Sequence, residues 1–301
     1  MRRGPERTGQ GRLAAVGLLA GLGLCVAACA PGTGQGRADT APRLPRVVSQ
    51  NPCTDALVLE LADPAQVLAV SAYSHDRMQS STDVAVARRF RAVSGSVEEA
   101  YGLHPDLVLD GNYAAPATAA AYARLGLRRE AFAMPATIAE SVAQVRRMGA
   151  LLGHPDRAEA LVERINAAVR AAASSARRPR ALIWQGGGHV AGPQTLIADL
   201  VAHTGMVSFG AQRGYLQSQI LPLERVLADP PDLVLAIAHA PAQDRVLNHP
   251  ALSAMRSPVS GRAMPVYTVP PRLEYCGGPT IPLALDQLVR IRATYVQDHM
   301  R

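Results

Sequence analysis

Lysine is absent from this 301-residue chain; all 31 of its basic residues are arginine. The stretch "WQGGGHVAGP" therefore cannot be a Walker-type phosphate loop, which needs a Lys-Ser/Thr pair after its glycines, and its spacing does not match G-x-G-x-x-G either. Its glycines read as a tight turn or a place of close backbone approach. An all-arginine basic set is a compositional bias and carries no phosphate signal of its own. Aromatic residues are also scarce, at 4%, with a single Trp. No basic run has aromatics interleaved, so nothing points to nucleic acid. No G-x-S-x-G elbow, H-E-x-x-H helix or kinase set occurs. Asp55, Ser74, His75 and Asp76 offer only the generic acid–base chemistry of polar loops. The sequence is therefore read as a non-enzyme, with a secreted hydrolase as the enzyme class to test.

Long apolar runs are missing too, except at the start. Arg2, Arg3, Arg7 and Arg12 precede "LAAVGLLAGLGLCVAAC", a positive head and a short apolar stretch ending at Cys29. That pattern predicts a secretory signal over residues 1–28, not a spanning helix. "VAAC" resembles a lipobox, which makes Cys29 the expected lipidation site. Cleavage there removes four Arg and one Glu, lowering the net charge from +7 to +4. Residues 29–45, rich in Pro and Gly, read as a flexible tether. Two cysteines remain, Cys53 and Cys276. In an oxidising compartment an even pair predicts a disulfide, with free thiols as the alternative.

What is present is alternation. "RVVSQ", "VLAVSAY", "LVLD" and "REAFAM" read as strands separated by helices opening at Pro52 and Ser96. "RALIWQ", "MVSFG", "LVLAIA" and "AMPVYTVP" repeat the order in the second half, where a helix is expected from Pro193 to Gly205. Alternating strands and helices predict an α/β chain with two parallel sheets. The lobes are expected over residues 46–136 and 177–301. Between them, 137–176 carries apolar residues at helical spacing with a break at Gly153-His154-Pro155, a long helix or a helix pair. The last helix should turn Leu285, Leu288, Val289 and Ile291 to the core.

One short phrase occurs twice. "EEAYGLHPDLVLD" begins at Glu98 and "ERVLADPPDLVLA" at Glu224, each Glu eight residues before the Asp of Pro-Asp-Leu-Val-Leu. With the ordered pattern around it, this resembles the periplasmic substrate-binding proteins of metal-chelate ABC importers, which take ferric siderophores, haem or cobalamin. The likeness covers nearly all of residues 46–301. It implies two Rossmann-like lobes joined by a helical connector, no permanently bound cofactor, and a transported metal chelate as ligand. It also implies a monomer, tied to the membrane through its lipid only, that meets an ABC permease dimer with its ATPase subunits. Glu98 and Glu224 match the family's two permease-docking carboxylates; the bland alternative is two acids favoured by helix N-termini.

Ligands in open α/β sheets meet the loops beyond the C-terminal strand ends. That rule nominates Asn51, Tyr73, Ser74, Asn112 and Tyr113 from the first lobe, and Trp184, Gln185, Arg272 and Tyr275 from the second. Tyr73 and Trp184 are expected to stack on a planar chelate, and Arg272 to pair with a ligand carboxylate, which favours an anionic iron chelate. His75, His189 and His239 also follow strands. They form the rival reading, a bare zinc or manganese ion held between the lobes.

Overall fold

The computed structural model describes residues 43–174, 178–237 and 244–299. The expected signal segment, Cys29, most of the tether and His239 lie outside them. The first sheet collects β1 (Val47–Ser49), β2 (Val67–Ser71), β3 (Ala92–Val93), β4 (Leu107–Gly111) and β5 (Arg129–Phe132). All pair in parallel, in the order β3-β2-β1-β4-β5. The helices between them are α1 (Pro52–Leu61), α2 (Val84–Ala87), α3 (Val97–Gly102) and α4 (Pro116–Arg124). Asn51 caps α1, its Oδ1 accepting from Cys53 N, with Pro52 in the first turn where its missing N–H costs nothing.

The chain then runs into two helices, α5 (Ile138–Leu152) and α6 (Pro155–Ala172). The connector is thus a hairpin rather than one long rod. Gly153 closes α5 in the left-handed region and Pro155 opens α6. Gly149 makes the close packing possible: a Cβ there would stand 2.4 Å from that of Ala158. Arg146 and Glu159 pair across the outside of the hairpin.

The second sheet holds β6 (Arg180–Trp184), β7 (His189–Val190), β8 (Val207–Ser208), β9 (Gln219–Ile220), β10 (Leu233–Ile237) and β11 (Val266–Val269). Its order is β11-β10-β6-β7-β9, with β8 also on β6. Its helices are α7 (Leu196–His203), α8 (Phe209–Gln212), α9 (Leu223–Ala228), α10 (Pro250–Ser253) and α11 (Thr280–His299). The run β2-β1-β4-β5 matches β8-β6-β10-β11, so the repeat legible in the sequence is a repeat of the fold. Two details depart from expectation. The helix expected from Pro193 begins at Leu196, after Thr195. The edge of β6 is shared, β8 along its start and the antiparallel β7 at its end.

The repeated Pro-Asp phrase has a structural job. Asp106 Oδ2 accepts from Arg46 N at 2.7 Å, and Asp106 N donates to Arg46 O at 2.8 Å. Asp232 does the same to Arg180, at 2.7 and 2.9 Å. Each Asp therefore pins the start of a central strand, β1 or β6, to the strand that follows the Asp, β4 or β10.

One apolar core runs through both halves. It joins Val47, Leu57 and Leu107 of the first sheet to Ile183, Leu235 and Val269 of the second through Val145, Met148, Leu161 and Ile165 of the hairpin. Leu285, Leu288 and Ile291 of α11 complete it, with Val289 half-buried against it. Buried polar bonds add to the seam: Gly278 N donates to Ser141 Oγ at 2.7 Å, and Ile138 N to Asp199 Oδ2 at 2.8 Å.

Replacing Asp232 by Ala strands the Arg180 amide. We expect a loss of about 1–3 kcal/mol in urea unfolding, and a smaller loss for Asp106→Ala, whose carboxylate is more exposed. An unchanged midpoint for Asp232→Ala would remove the strand-pinning role.

Candidate binding cleft

The C-terminal ends of the strands from both sheets open on a shared cleft, where this class of sheet places its ligands. Two adjoining hollows occupy it. The first, about 250 Å³, lies between Tyr113, Met134 and Pro135 of the first lobe and Gln185, Thr195, Gln217 and Glu274 of the second. The other, about 240 Å³, is walled by Asn51, Met78, Gln79, Phe132, Arg272 and the Cys53–Cys276 pair. Tyr113, Met134 and Tyr275 line both and form the partition. All three are exposed, at 72%, 48% and 46%, which for apolar side chains in a concave site means surface held ready for a partner.

Cys53 and Cys276 are joined in a disulfide, with Cα atoms 4.6 Å apart and a sequence separation of 223. Cys53 stands in the first turn of α1 and Cys276 shortly before α11, so the bond crosses from lobe to lobe in the cleft wall. Ser81 Oγ donates to Cys276 Sγ at 2.9 Å.

Of the residues expected at the ligand, Asn51, Tyr113, Gln185, Arg272 and Tyr275 come together on these walls. Four do not. Trp184 is 1% exposed and packs with Val190, Phe209 and Leu221 in a core of the second lobe. Strand β6 is central and covered on both faces, so its last residue has no open side. The indole Nε1 instead donates to Asp244 Oδ2 at 2.7 Å, which satisfies its one polar atom in the interior. Ser74 is buried and donates to Asp55 Oδ2 at 2.6 Å. Ser71 donates to the same oxygen through N and Oγ, so Asp55 ties the end of β2 to α1 rather than acting as an acid or base. Burial pushes the Asp55 carboxyl up to about 7, against the lowering effect of these hydroxyls. Tyr73 is half-exposed on the short turn after β2, and Asn112 is exposed; both lie outside the two hollows.

Of the three histidines of the rival reading, His239 lies outside the described residues. His75 Nε2 lies 3.0 Å from the Ala87 carbonyl, and His189 sits exposed on β7. Among the described residues no group of three His, Cys, Asp or Glu side chains stands ready for a metal ion. Gly186, Gly187 and Gly188 all take positive φ, between 59° and 91°, and turn the chain from β6 into β7. This is the tight turn that "GGGH" suggested.

Glu274 is the residue that sequence reasoning missed. It lies between Arg272 and Tyr275, which were noticed, yet it is 3% exposed and lines the first hollow. Burial pushes its carboxyl up to about 7, while hydrogen bonds from Gln185 and Tyr275 pull it back down. Burial also raises the Tyr275 phenol. A lone Glu in a short polar segment gives no sequence signal of such burial. Glu98 and Glu224, by contrast, are both exposed at the second residue of their helices, α3 and α9.

Two α/β lobes thus share a core and a walled cleft at the strand ends. The chain belongs to the periplasmic binding protein family, whose model matches residues 47–271. It is accordingly a binding protein and not an enzyme. Solved structures share the fold. The apo haem-binding protein RhuT of Roseiflexus sp. RS-1 is 21% identical, with a TM-score of 0.68 over 85% of this chain and 99% of that one. A periplasmic haem-binding protein of Pseudomonas aeruginosa is 22% identical, at 0.67 over 85% and 94%. The vitamin B12-binding BtuF of Vibrio cholerae is 18% identical, at 0.64 over 85% and 98%. Among curated protein sequences none matches significantly.

Glu274 carries a sign for stability. Its carboxyl goes from an ordinary 4.5 when unfolded to about 7 when folded. Its contribution is fully present below pH 4.5 and is lost as pH climbs through about 7. We expect wild-type unfolding free energy to fall between pH 5 and pH 8 by on the order of 3 kcal/mol more than that of Glu274→Gln. Parallel pH profiles for the two proteins would contradict this.

Proposed function

We propose that this protein captures a metal chelate of the siderophore, haem or cobalamin kind in the cleft and delivers it to an ABC permease. The observation that carries the reading is the cleft wall. Four exposed apolar side chains, Met78, Tyr113, Met134 and Tyr275, gather in a site with few charged groups. Bulky chelates present broad apolar faces with a few polar arms, and such a site fits them. The solved relatives that share the fold are named for haem and vitamin B12 binding, which supports the same ligand class. Tyr113 and Tyr275, both exposed in the cleft, take the stacking role that sequence reasoning gave to Trp184 and Tyr73.

Location follows from the family: the periplasm. Cys29 anchors the chain by a lipid in this reading, with residues 1–28 removed as its signal. Among the described residues no helix is long and apolar enough to cross a membrane. Glu98 and Glu224 are the docking carboxylates. Each projects from the first turn of a short helix nine residues before β4 or β10 begins, so a duplicated fold presents a duplicated charge to a two-fold permease.

Two measurements test this. Calorimetric titration with haem, cyanocobalamin, a ferric hydroxamate, Zn²⁺ and Mn²⁺ should find one chelate that binds. Tyr113→Ala and Tyr275→Ala should each weaken it about tenfold, the loss of one good aromatic contact. Binding of a bare cation alone would overturn the reading. Separately, Glu98→Arg combined with Glu224→Arg should abolish uptake by cells while leaving chelate affinity unchanged, since rim charges steer docking. Normal uptake by the double variant would discard the docking role.

A further inference from the structure

The segment Pro271–Cys276 divides the two hollows and turns side chains of opposite character into them. Arg272 lines the second hollow, and among the described residues no carboxylate or carbonyl engages its guanidinium. Glu274 lines the first, almost wholly buried, with no basic partner among the described residues. Beside it, Gln185 gives its Nε2 to the Glu274 carboxylate. The amide oxygen of Gln185 is then left buried without a hydrogen-bond partner. The rest of the first hollow's polar wall is neutral: Gln194, Thr195, Gln217 and Ser218. The first hollow therefore has one unpaired buried acceptor and no cation, and the second has a spare cation.

Resting on the capture reading above, we propose that the cleft is polarised and fixes ligand orientation: Glu274 and Gln185 receive N–H donor arms, amide or ammonium, while Arg272 receives an anionic or acceptor arm. A buried acceptor left unpaired is costly, and a ligand that supplies the donor recovers that cost on binding. A carboxylate arm placed against Gln185 and Glu274 meets an unpaired acceptor and an acid that must stay neutral to tolerate it. Orientation and selectivity then come from one six-residue segment. The polarised wall discriminates among chelates of similar apolar bulk.

The test is calorimetry of the full-length protein with four probes. Cyanocobalamin and ferrioxamine B carry N–H donor arms; the outer polar groups of haem and ferric citrate are carboxylates. We expect a donor-bearing probe to bind at least about tenfold tighter than either carboxylate probe. Glu274→Leu should weaken that probe about tenfold or more and narrow the gap. Glu274→Gln, which keeps an acceptor and guards against misfolding by the leucine, should retain most of the affinity for an uncharged amide arm. Arg272→Gln should weaken cyanocobalamin, which carries an anionic phosphodiester, more than ferrioxamine B, whose free arm is cationic. Tightest binding by haem or ferric citrate overturns the proposal. So does a donor-bearing probe that binds the wild type and both Glu274 variants alike; in either case chelate capture itself stands. Silence from all four probes sinks the capture reading and the polarity with it.

Discussion

The shared apolar core is the constraint on which the rest depends. In a protein with two separate cores, the lobes could swing about a linker, and the cleft between them would have no fixed shape. Here α5, α6 and α11 belong to neither sheet alone, and their buried residues run continuously from Val47 to Val269. Interiors packed this closely transmit strain rather than absorb it. Opening the cleft would mean parting α5 from α11, across the buried Ser141–Gly278 hydrogen bond, and pulling against the Cys53–Cys276 crosslink. The walls are therefore largely set before ligand arrives, and selectivity rests on what those walls already hold.

That rigidity explains where polar groups are tolerated. Asp244 is satisfied within its own lobe by Trp184 and the backbone of Gly187 and Leu247, and Asp55 takes three bonds from Ser71 and Ser74 on Oδ2 while its Oδ1 stays unpaired. They hold loops at the cleft edge without entering it. Gln185 is different: it lines the hollow beside Glu274, and its amide oxygen is left unpaired there. A preformed site can keep such a defect because the elements around it do not collapse onto it. Burial that costs stability in the empty protein is returned when a matching group fills the hollow.

Much of this was legible in the sequence, and the reasons for success and failure are physical. Alternating strands and helices reveal a parallel α/β fold because buried central strands are written as continuous apolar runs. The duplicated Glu and Pro-Asp phrase revealed the two lobes because the same pinning bonds are needed at both central strands. Strand ends carry Asn51, Tyr113, Gln185, Arg272 and Tyr275 to the walls of the cleft, since topology alone brings them there. The same rule misplaced Trp184, because sequence does not say whether a strand's last residue is still roofed by its neighbours. Ser74 failed for a related reason: its partner Asp55 is distant in the chain and buried. Glu274 was missed because its environment is made by Gln185 and α7, elements far off in sequence. The β7–β9 pair, only two residues each, falls below what alternation can register.

The two lobes have kept some features alike and let their cleft walls diverge. At the strand starts, Asp106 and Asp232 make the same bonds to Arg46 and Arg180. At the strand ends, Glu98 and Glu224 stand at the same position in the first turns of α3 and α9, but the walls of the cleft do not match. The first lobe supplies Met78, Tyr113, Phe132 and Met134, large and apolar; the second supplies Gln185, Gln194, Gln217 and Glu274. A partner with two-fold symmetry favours equal charges on equivalent sites, because any mismatch weakens one half of the contact. A chelate seated between the lobes has no such symmetry to match, and a cleft with equal walls could hold it in two orientations with similar energy. Unequal walls lift that degeneracy. The repeated charges suit the two-fold partner of the proposed docking, and the unrepeated walls suit the asymmetric ligand proposed for the cleft.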